Sequence, residues 1–154
     1  MGPRKLAALA AAAVVLAGCD AGSTSGDDPR ANPDDPARVA HGAMVYAQNC
    51  VVCHGVKLEG QPDWRKRLPN GRLPAPPHDD SGHTWHHPDD VLFGITKRGL
   101  VPPYAPRDYA SDMPAFGAKL SDEQIWAVLA YIKTHWTNEV LTVRAEMLRD
   151  TRPK

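Results

Sequence analysis

The sequence contains few cysteines, no excess charge of either sign and no apolar run long enough to span a membrane. There are 3 cysteines in 154 residues, and the one CxxC pair, Cys50 and Cys53, lacks the second pair that a zinc site of this kind would use. The apolar run at residues 6–17 is shorter than the ~20 residues that a spanning helix needs. The formal net charge is +0, which argues against a nucleic-acid-binding protein.

The amino terminus has the organisation of a secretory signal. Arg4 and Lys5 precede the apolar run, which has the length of a signal's hydrophobic region. The run ends in LAGC at residues 16–19, a stretch that resembles the lipobox of bacterial lipoproteins. That resemblance implies that residues 1–18 are a lipoprotein signal peptide and that Cys19 becomes the lipidated amino terminus. A cleaved signal that leaves Cys19 unmodified is the alternative.

Lipidation predicts where the mature protein lies. Two or more acyl chains on one cysteine hold a protein stably on a bilayer, so we expect a lipid anchor to the membrane without a spanning segment. Asp20, directly after Cys19, resembles the signal that retains lipoproteins at the inner membrane of some two-membraned bacteria. The predicted location is therefore the outer face of the cytoplasmic membrane, facing the periplasm in such an organism.

The segment that follows Cys19 has the composition of a tether. Residues 20–36, DAGSTSGDDPRANPDDP, are rich in Gly, Ser, Pro and Asp and contain almost no apolar residue, so they lack the surface needed to fold. We therefore predict a lipidated cysteine and a flexible acidic tether over residues 19–36. The 154 − 36 = 118 residues that remain suffice for one small domain, predicted at residues 37–136, with a helical tail at residues 137–154.

The stretch NCVVCHG combines Cys50, Cys53 and His54. A thioredoxin-like redox pair would sit at the start of a helix after a buried strand, whereas this pair follows an apparent helix. Two thiols at this spacing reach the two vinyl groups of one haem and form thioethers, and the next residue then lies beneath the iron. The motif therefore predicts one covalent haem c attached through Cys50 and Cys53, with His54 as the proximal iron ligand. A thiol redox or metal-delivery protein stays open as an alternative, although it leaves His54 unexplained.

The group that fills the sixth coordination position of the iron distinguishes an electron carrier from a haem enzyme. The methionines are the main candidates for this ligand. Met44 belongs to the helical stretch before Cys50, where core packing is the expected role, and Met147 lies in the polar tail. Met113 lies in SDMPAFG, on a proline-containing loop just before a strong helical pattern. Because a thioether on such a loop can approach the haem face opposite His54, we predict Met113 as the second axial ligand.

Together, CVVCH, MPAFG about sixty residues later and a final amphipathic helix resemble a mono-haem class I cytochrome c over about residues 37–136. The resemblance implies an all-α fold of about three to five helices around one covalently attached haem. It also implies that Gly42 and Tyr46 on the first helix pack against Val128 and Tyr131 on the last. A small Gly at such a crossing lets the two helices approach closely.

The sequence marks two further helices after the haem motif. LSDEQIWAVLAYIKTHW begins with a capping box formed by Ser121 and Gln124 and continues with apolar residues at helical spacing. HHPDDVLFGITKRG has Pro88 at its start, acidic residues in its first turn and Gly99 as a stop signal. The preceding stretch reads as a proline-rich loop. There the family resemblance implies that a proline carbonyl accepts a hydrogen bond from the proximal histidine, and Pro76 is the best candidate.

Two polar clusters admit more than one interpretation. SGHTWHH places His83, His86 and His87 beside Trp85, where they could hydrogen-bond the haem propionates, lie at the surface or bind a second metal. A set of basic residues after the haem motif forms either a solvated face, which we favour, or a surface that steers acidic partners. These residues are Lys57, Arg65, Lys66, Arg67 and Arg72.

These features predict a membrane-tethered one-electron carrier of an extracytoplasmic or respiratory chain and not an enzyme, because His54 and Met113 would saturate the iron. The expected partners are a redox protein donor, a redox protein acceptor and the membrane, with no nucleic acid and no small-molecule substrate. Two other classes stay open. One is a haem enzyme or gas sensor with a labile sixth ligand, and the other is a dedicated electron-transfer subunit of a larger dehydrogenase or oxidase, which the tail favours.

Overall fold

The computed structural model describes residues 27–150. The predicted signal peptide, Cys19 and the first part of the predicted tether lie outside the described residues. Within residues 27–150 the chain forms five α-helices, two short 3-10 helices and no strand, so the predicted all-α fold is confirmed. None of these helices is long and apolar enough to cross a membrane. The α-helices are α1 (Pro36–Asn49), α2 (Val51–His54), α3 (Asp89–Arg98), α4 (Asp122–Lys133) and α5 (Asn138–Asp150).

Helix α1 packs across α4, and a glycine makes the close crossing possible. A Cβ atom added at Gly42 would lie 2.0 Å from the carbonyl oxygen of Ala127, so only glycine fits without moving a helix. One turn further along, Tyr46 is 1% exposed, and its ring centroid lies 5.4 Å from that of Tyr131. The predicted packing of Gly42 and Tyr46 against the last helix of the predicted domain, which is α4, is therefore confirmed.

Local capping signals set the ends of these helices. Asp35 caps α1 by accepting hydrogen bonds from two backbone N–H groups of its first turn, both at 3.1 Å. At α4, Ser121 Oγ accepts from the N–H of Gln124 at 3.2 Å, and Gln124 Oε1 accepts from the N–H of Ser121 at 2.9 Å. Helix α3 follows Pro88 and ends at Gly99, whose φ of 81° favours glycine. The predicted capping box and stop signal are both confirmed.

Met44 does not lie in the core, and the prediction that it does is wrong. Its side chain is 59% exposed. The buried residues of α1 are Gly42, Val45 and Tyr46, which share one helix face because they are three and four positions apart. Met44 falls outside this spacing, so its side chain points away from α4.

Four charged side chains meet where the two ends of the described chain converge. Lys133 Nζ lies 2.6 Å from Asp27 Oδ1 and 2.9 Å from Asp89 Oδ2. Arg144 Nη2 lies 2.8 Å from Asp89 Oδ1, and its Nε lies 3.2 Å from Asp27 Oδ1. The side chains of Lys133, Asp89 and Arg144 are at most 4% exposed. This buried charge cluster, Asp27, Asp89, Lys133 and Arg144, joins the amino-terminal segment to α3, α4 and α5.

The amino-terminal part of the described chain is docked on the domain. Composition predicts a tether through residue 36, yet Ala31 is 0% exposed. The backbone N–H of Asp28 donates to Asp89 Oδ2 at 2.8 Å. The chain is therefore held against the domain from Asp27 onward. For residues 19–26, which lie outside the described residues, the tether stays a prediction.

The predicted helical tail forms α5, which is held by a buried arginine and by Val140 and Leu141, which pack against the core. Arg144 is 0% exposed and donates through Nη1 to the carbonyl oxygens of Trp85, at 2.8 Å, and His87. Leu148, one turn later, is 3% exposed, whereas Val143 is 45% exposed. Because Arg144 also reaches the buried charge cluster, α5 is part of the interior of the domain.

Candidate functional site

Cys50, Cys53 and His54 lie on a single turn of helix at the end of α1. The backbone N–H groups of Cys53 and His54 both donate to the carbonyl oxygen of Cys50, at 3.1 and 2.9 Å. Gly55, with a φ of 82°, ends the turn. Both cysteines are free and half-buried. Two thiols three residues apart thus emerge from one side of the turn, beside the imidazole.

The thiol of Cys50 lacks the electrostatic character of a redox cysteine. Burial, and secondarily the neighbouring Cys53, raises the pKa of Cys50 to about 11. A thioredoxin-like site needs the opposite shift, which a helix amino terminus provides for its first cysteine. Cys50 precedes α2, but that helix has only 4 residues, and the same cysteine caps the carboxyl end of the 14-residue α1, where the helix dipole disfavours a negative charge. The geometry therefore argues against the thiol redox alternative.

His54 is held with one ring nitrogen bonded and the other available. His54 is 7% exposed, and its Nδ1 donates a hydrogen bond to the carbonyl oxygen of Pro76 at 2.8 Å. This is the proline predicted from the sequence, and the hydrogen bond is confirmed. Burial lowers the pKa of His54, although the bond to Pro76 acts in the opposite direction. A neutral ring with Nδ1 protonated leaves the Nε2 lone pair for a metal.

The loop between His54 and Pro76 is closed at its base, which brings the two residues together. The N–H of Gln61 donates to the carbonyl oxygen of Ala75 at 2.9 Å, and the N–H of Ala75 donates back to Gln61 Oε1 at 3.2 Å. Gly60, with a φ of 67°, lies so close to Pro77 that an added Cβ would be 2.4 Å from its nitrogen. The chain returns to the haem motif because of these local contacts.

A second imidazole lies against His54, and sequence reasoning missed it. The rings of His54 and His78 are stacked, with centroids 3.8 Å apart and planes at 19°. His78 Nδ1 is buried and has no hydrogen-bond partner within the described residues. The sequence signal was its position directly after PAPP, two residues beyond Pro76.

Met113 lies on the segment between α3 and α4. It is half-buried and packs against the same hydrophobic core as Cys50. Its N–H donates to Ser111 Oγ at 3.1 Å. The next residues are tied to the end of α3, since the N–H of Phe116 donates to the carbonyl oxygen of Thr96 at 3.0 Å. The segment that carries Met113 is thus held at its carboxyl end by α3.

The histidine cluster does not form a metal site. Within residues 27–150, no group of three His, Cys, Asp or Glu side chains could hold a metal ion. His83 instead stacks on Trp64, with centroids 5.3 Å apart, and its Nδ1 is buried without a partner. Trp85 Nε1 donates to the carbonyl oxygen of Asp80 at 3.3 Å. Of the roles considered for this stretch, a hydrogen bond from His83 to a propionate stays open.

The basic residues contact their own loop and the Met113 segment. Arg65 lies over the Trp64 ring at 4.0 Å, and Arg67 lies 5.9 Å from the centroid of Tyr109. Arg72 Nη1 pairs with Asp112 Oδ1, immediately before Met113. We favoured a solvated face for these basic residues, and that interpretation overlooked the contact of Arg72 with the segment that carries Met113.

The residues present fit a covalent haem c. Two free thiols and a histidine with a free Nε2 stand on one turn. Within residues 27–150 the buried Nδ1 atom of His83 lacks a hydrogen-bond partner, and buried polar atoms of native proteins normally have one. A group that carries carboxylates could supply it. The chain thus offers covalent attachment, a metal ligand and a polar donor for such a group.

The comparisons with known proteins agree with this geometry. The family model described as Cytochrome c matches residues 39–136. The gluconate 2-dehydrogenase cytochrome c subunit of Pantoea cypripedii is 31% identical over 97 residues, which make up 63% of this chain and 20% of that protein. The chain thus spans about a fifth of the length of this curated relative. No solved structure matches the chain. The chain belongs to the cytochrome c family and is an electron-transfer protein with a covalently bound haem c.

Proposed function

We propose that this cytochrome is a membrane-tethered one-electron carrier in which Cys50 and Cys53 attach the haem and His54 and Met113 bind its iron. The observation that carries the proposal is the hydrogen bond of 2.8 Å from His54 Nδ1 to the carbonyl oxygen of Pro76. It orients the ring and leaves Nε2 as the ligand atom. Met113 supports the proposal because it is half-buried on a segment anchored to α3.

The protein's own groups determine what such a site does. When bound, the haem supplies one-electron exchange between ferrous and ferric iron. His54 and Met113 together leave no position for a substrate, so no bond of a substrate is made or broken. Methionine ligation and an apolar pocket raise the reduction potential, which favours the high-potential end of a respiratory chain.

The membrane tether is the second part of the proposal. The LAGC stretch supports lipidation of Cys19, with the domain at the outer face of the cytoplasmic membrane. Asp27 is docked on the domain, so the seven residues 20–26 separate it from the anchor at Cys19. The eight Cα–Cα steps from Cys19 to Asp27 span at most ~29 Å even when the chain is fully extended. The domain would therefore stay close to the bilayer surface.

A dedicated electron-transfer subunit is the second candidate function. It is favoured by the relative, whose name is that of the cytochrome c subunit of a dehydrogenase. Solubilising the membranes in mild detergent and separating the complexes by size tests it. Co-migration of the haem with a dehydrogenase activity supports the subunit, whereas migration as a small free haem protein supports the independent carrier.

Optical spectra test the iron ligands. We expect oxidised wild-type holoprotein to show the weak near-infrared sulfur-to-iron band and the reduced form not to bind carbon monoxide. Met113→Ala should abolish the band and allow carbon monoxide to bind. Met44→Ala is the matched control, because Met44 is 59% exposed and should change neither property. A high-spin wild type that binds carbon monoxide would overturn the carrier and point to a haem enzyme or gas sensor.

The anchor needs its own measurement. Mass spectrometry of the mature amino terminus should find a diacylated or triacylated Cys19. Cys19→Ser should release the haem protein from the membrane fraction. An unmodified Cys19, or a variant that stays on the membrane, would refute the lipid anchor while leaving the haem assignment intact.

A further inference from the structure

We propose that His78 is a positioning residue that fixes the plane of the His54 imidazole. The proposal rests on the proposed role of His54 as an iron ligand. The two rings lie face to face, with centroids 3.8 Å apart and planes at 19°. His78 thus contacts the ligand ring over its face, whereas Pro76 contacts it at one edge atom.

One hydrogen bond does not define the orientation of an imidazole. The bond from His54 Nδ1 to Pro76 fixes the direction of a single atom of the ring. The side chain can still rotate about its Cα–Cβ and Cβ–Cγ bonds together while Nδ1 keeps its distance to the carbonyl oxygen, and this rotation would tilt the ring plane and turn Nε2 away from the direction that it needs as a ligand. A flat ring in van der Waals contact opposes that tilt on one side. The two contacts together restrict both motions of the ligand.

His78 is able to do this because its own backbone is held on both sides. Its N–H donates to the carbonyl oxygen of Leu58 at 2.7 Å, and its carbonyl oxygen accepts from Trp136 Nε1 at 2.9 Å. Leu58 and Trp136 are 0% and 5% exposed. On the side of α1, the edge of the Tyr46 ring lies against His78, with centroids 6.1 Å apart. The supporting ring is therefore anchored to the core.

A flat ring is sufficient for this role, because the His78 and His54 rings meet face to face, with centroids 3.8 Å apart. A phenyl ring has a similar flat shape and no charge. His78→Phe should therefore preserve the positioning, whereas His78→Ala and the aliphatic His78→Leu should lose it.

Nuclear magnetic resonance of the holoprotein tests the proposal. The shifts of the haem methyl protons in the ferric state depend on the plane of the axial imidazole. We expect His78→Ala and His78→Leu to change the pattern of these shifts. Both variants should also speed the exchange of the His54 Nδ1 proton with solvent by about two- to tenfold, because this is the factor that corresponds to the usual strength of an aromatic pair. His78→Phe should keep both close to wild type. His135→Ala is the matched control, since His135 stands against Tyr131 and does not contact His54.

The outcomes separate this inference from the proposed function. A wild type without a histidine and methionine low-spin spectrum means that the proposed ligands are wrong. If wild type has that spectrum and His78→Leu leaves both the methyl shifts and the proton exchange unchanged, the positioning role is refuted. A His78→Phe variant that differs from wild type as much as His78→Leu also refutes it. Should His78→Ala fail to bind haem, the comparison of His78→Leu with His78→Phe decides the matter.

Discussion

Arg144 on α5 donates a hydrogen bond to Asp89 at the first turn of α3, with Nη2 and Oδ1 2.8 Å apart. The two side chains are 1% and 0% exposed. Asp89 lies within residues 39–136, the range that matches the cytochrome c family, whereas Arg144 lies beyond it. The carboxyl-terminal helix is thus bonded to the interior of the haem domain.

Replacing Arg144 should destabilise the whole domain. We expect Arg144→Ala to lower the free energy of unfolding by about 3–5 kcal/mol, because it leaves the buried Asp89 and the partly exposed Asp27 to share the single cation of Lys133. Denaturant unfolding of the holoprotein measures this. Lys66→Ala is the control, since the Lys66–Asp63 pair is 78% and 70% exposed and should contribute less than ~1 kcal/mol. If both variants unfold alike, α5 is not part of the cooperative unit.

Asp27 should stabilise the fold at neutral pH and not in strong acid. Burial would raise its pKa, but the Lys133 and Arg144 cations outweigh burial and hold the pKa below the ordinary 3.8. A depressed folded-state pKa means that the stabilisation is present above ~3.8 and is lost as the pH falls through the lower, folded-state pKa. The difference in unfolding free energy between wild type and Asp27→Asn should therefore be largest at pH 7 and shrink as the pH falls from 3.8 through the lower, folded-state pKa. A difference independent of pH would contradict this assignment.

Adding one methyl group at Gly42 should reverse the usual effect of alanine in a helix. In an open helix Gly to Ala stabilises by about 0.5–1 kcal/mol. Here the new Cβ would lie 2.0 Å from the Ala127 carbonyl oxygen, so we expect Gly42→Ala to destabilise by about 1–3 kcal/mol. Thermal unfolding measures the difference, with Met44→Ala on the exposed face of α1 as the control. An increase in stability for Gly42→Ala would show that the two helices do not cross closely.

The proposal that Met113 binds the iron predicts that the ion pair between Arg72 and Asp112 helps to hold it there. The two side chains are 42% and 57% exposed, so the pair is worth at most ~1 kcal/mol, or about fivefold in the balance between bound and displaced methionine. We expect Arg72→Ala to lose the near-infrared band at a lower pH than wild type. A pH titration of that band measures the effect, again beside Lys66→Ala. The same midpoint in both variants would show that the loop does not support the methionine.

Features encoded within a few neighbouring residues could be predicted from the sequence. The turn with Cys50, Cys53 and His54, the capping box of Ser121 and Gln124, and the stop at Gly99 depend on contacts inside one helical turn. The family resemblance added Pro76 and the crossing at Gly42. Met44 was misjudged although Gly42 and Tyr46 already mark the face of α1 that meets α4, because its position two residues from each of them places it off that face.

Contacts between distant segments could not be predicted. The composition of residues 27–36 favours a tether, and their acidic residues gave no indication that Asp27 would meet Lys133 and Arg144 across more than 100 residues. His78 likewise follows a proline-rich run that reads as an ordinary loop. Each of these side chains becomes important only when a partner from another element removes it from water.

The sequence by itself determined the chemistry of this protein, because the thiols, the imidazole and their spacing stand in one uninterrupted stretch. It also determined where the helices of the haem domain begin and end, since the capping signals are local. Only the tertiary structure decided which charges are buried together, which ring lies on His54 and which loop reaches Asp112. Those contacts depend on how distant segments pack in the folded chain, since a charge or a ring is held in place by neighbours that lie far away in the sequence.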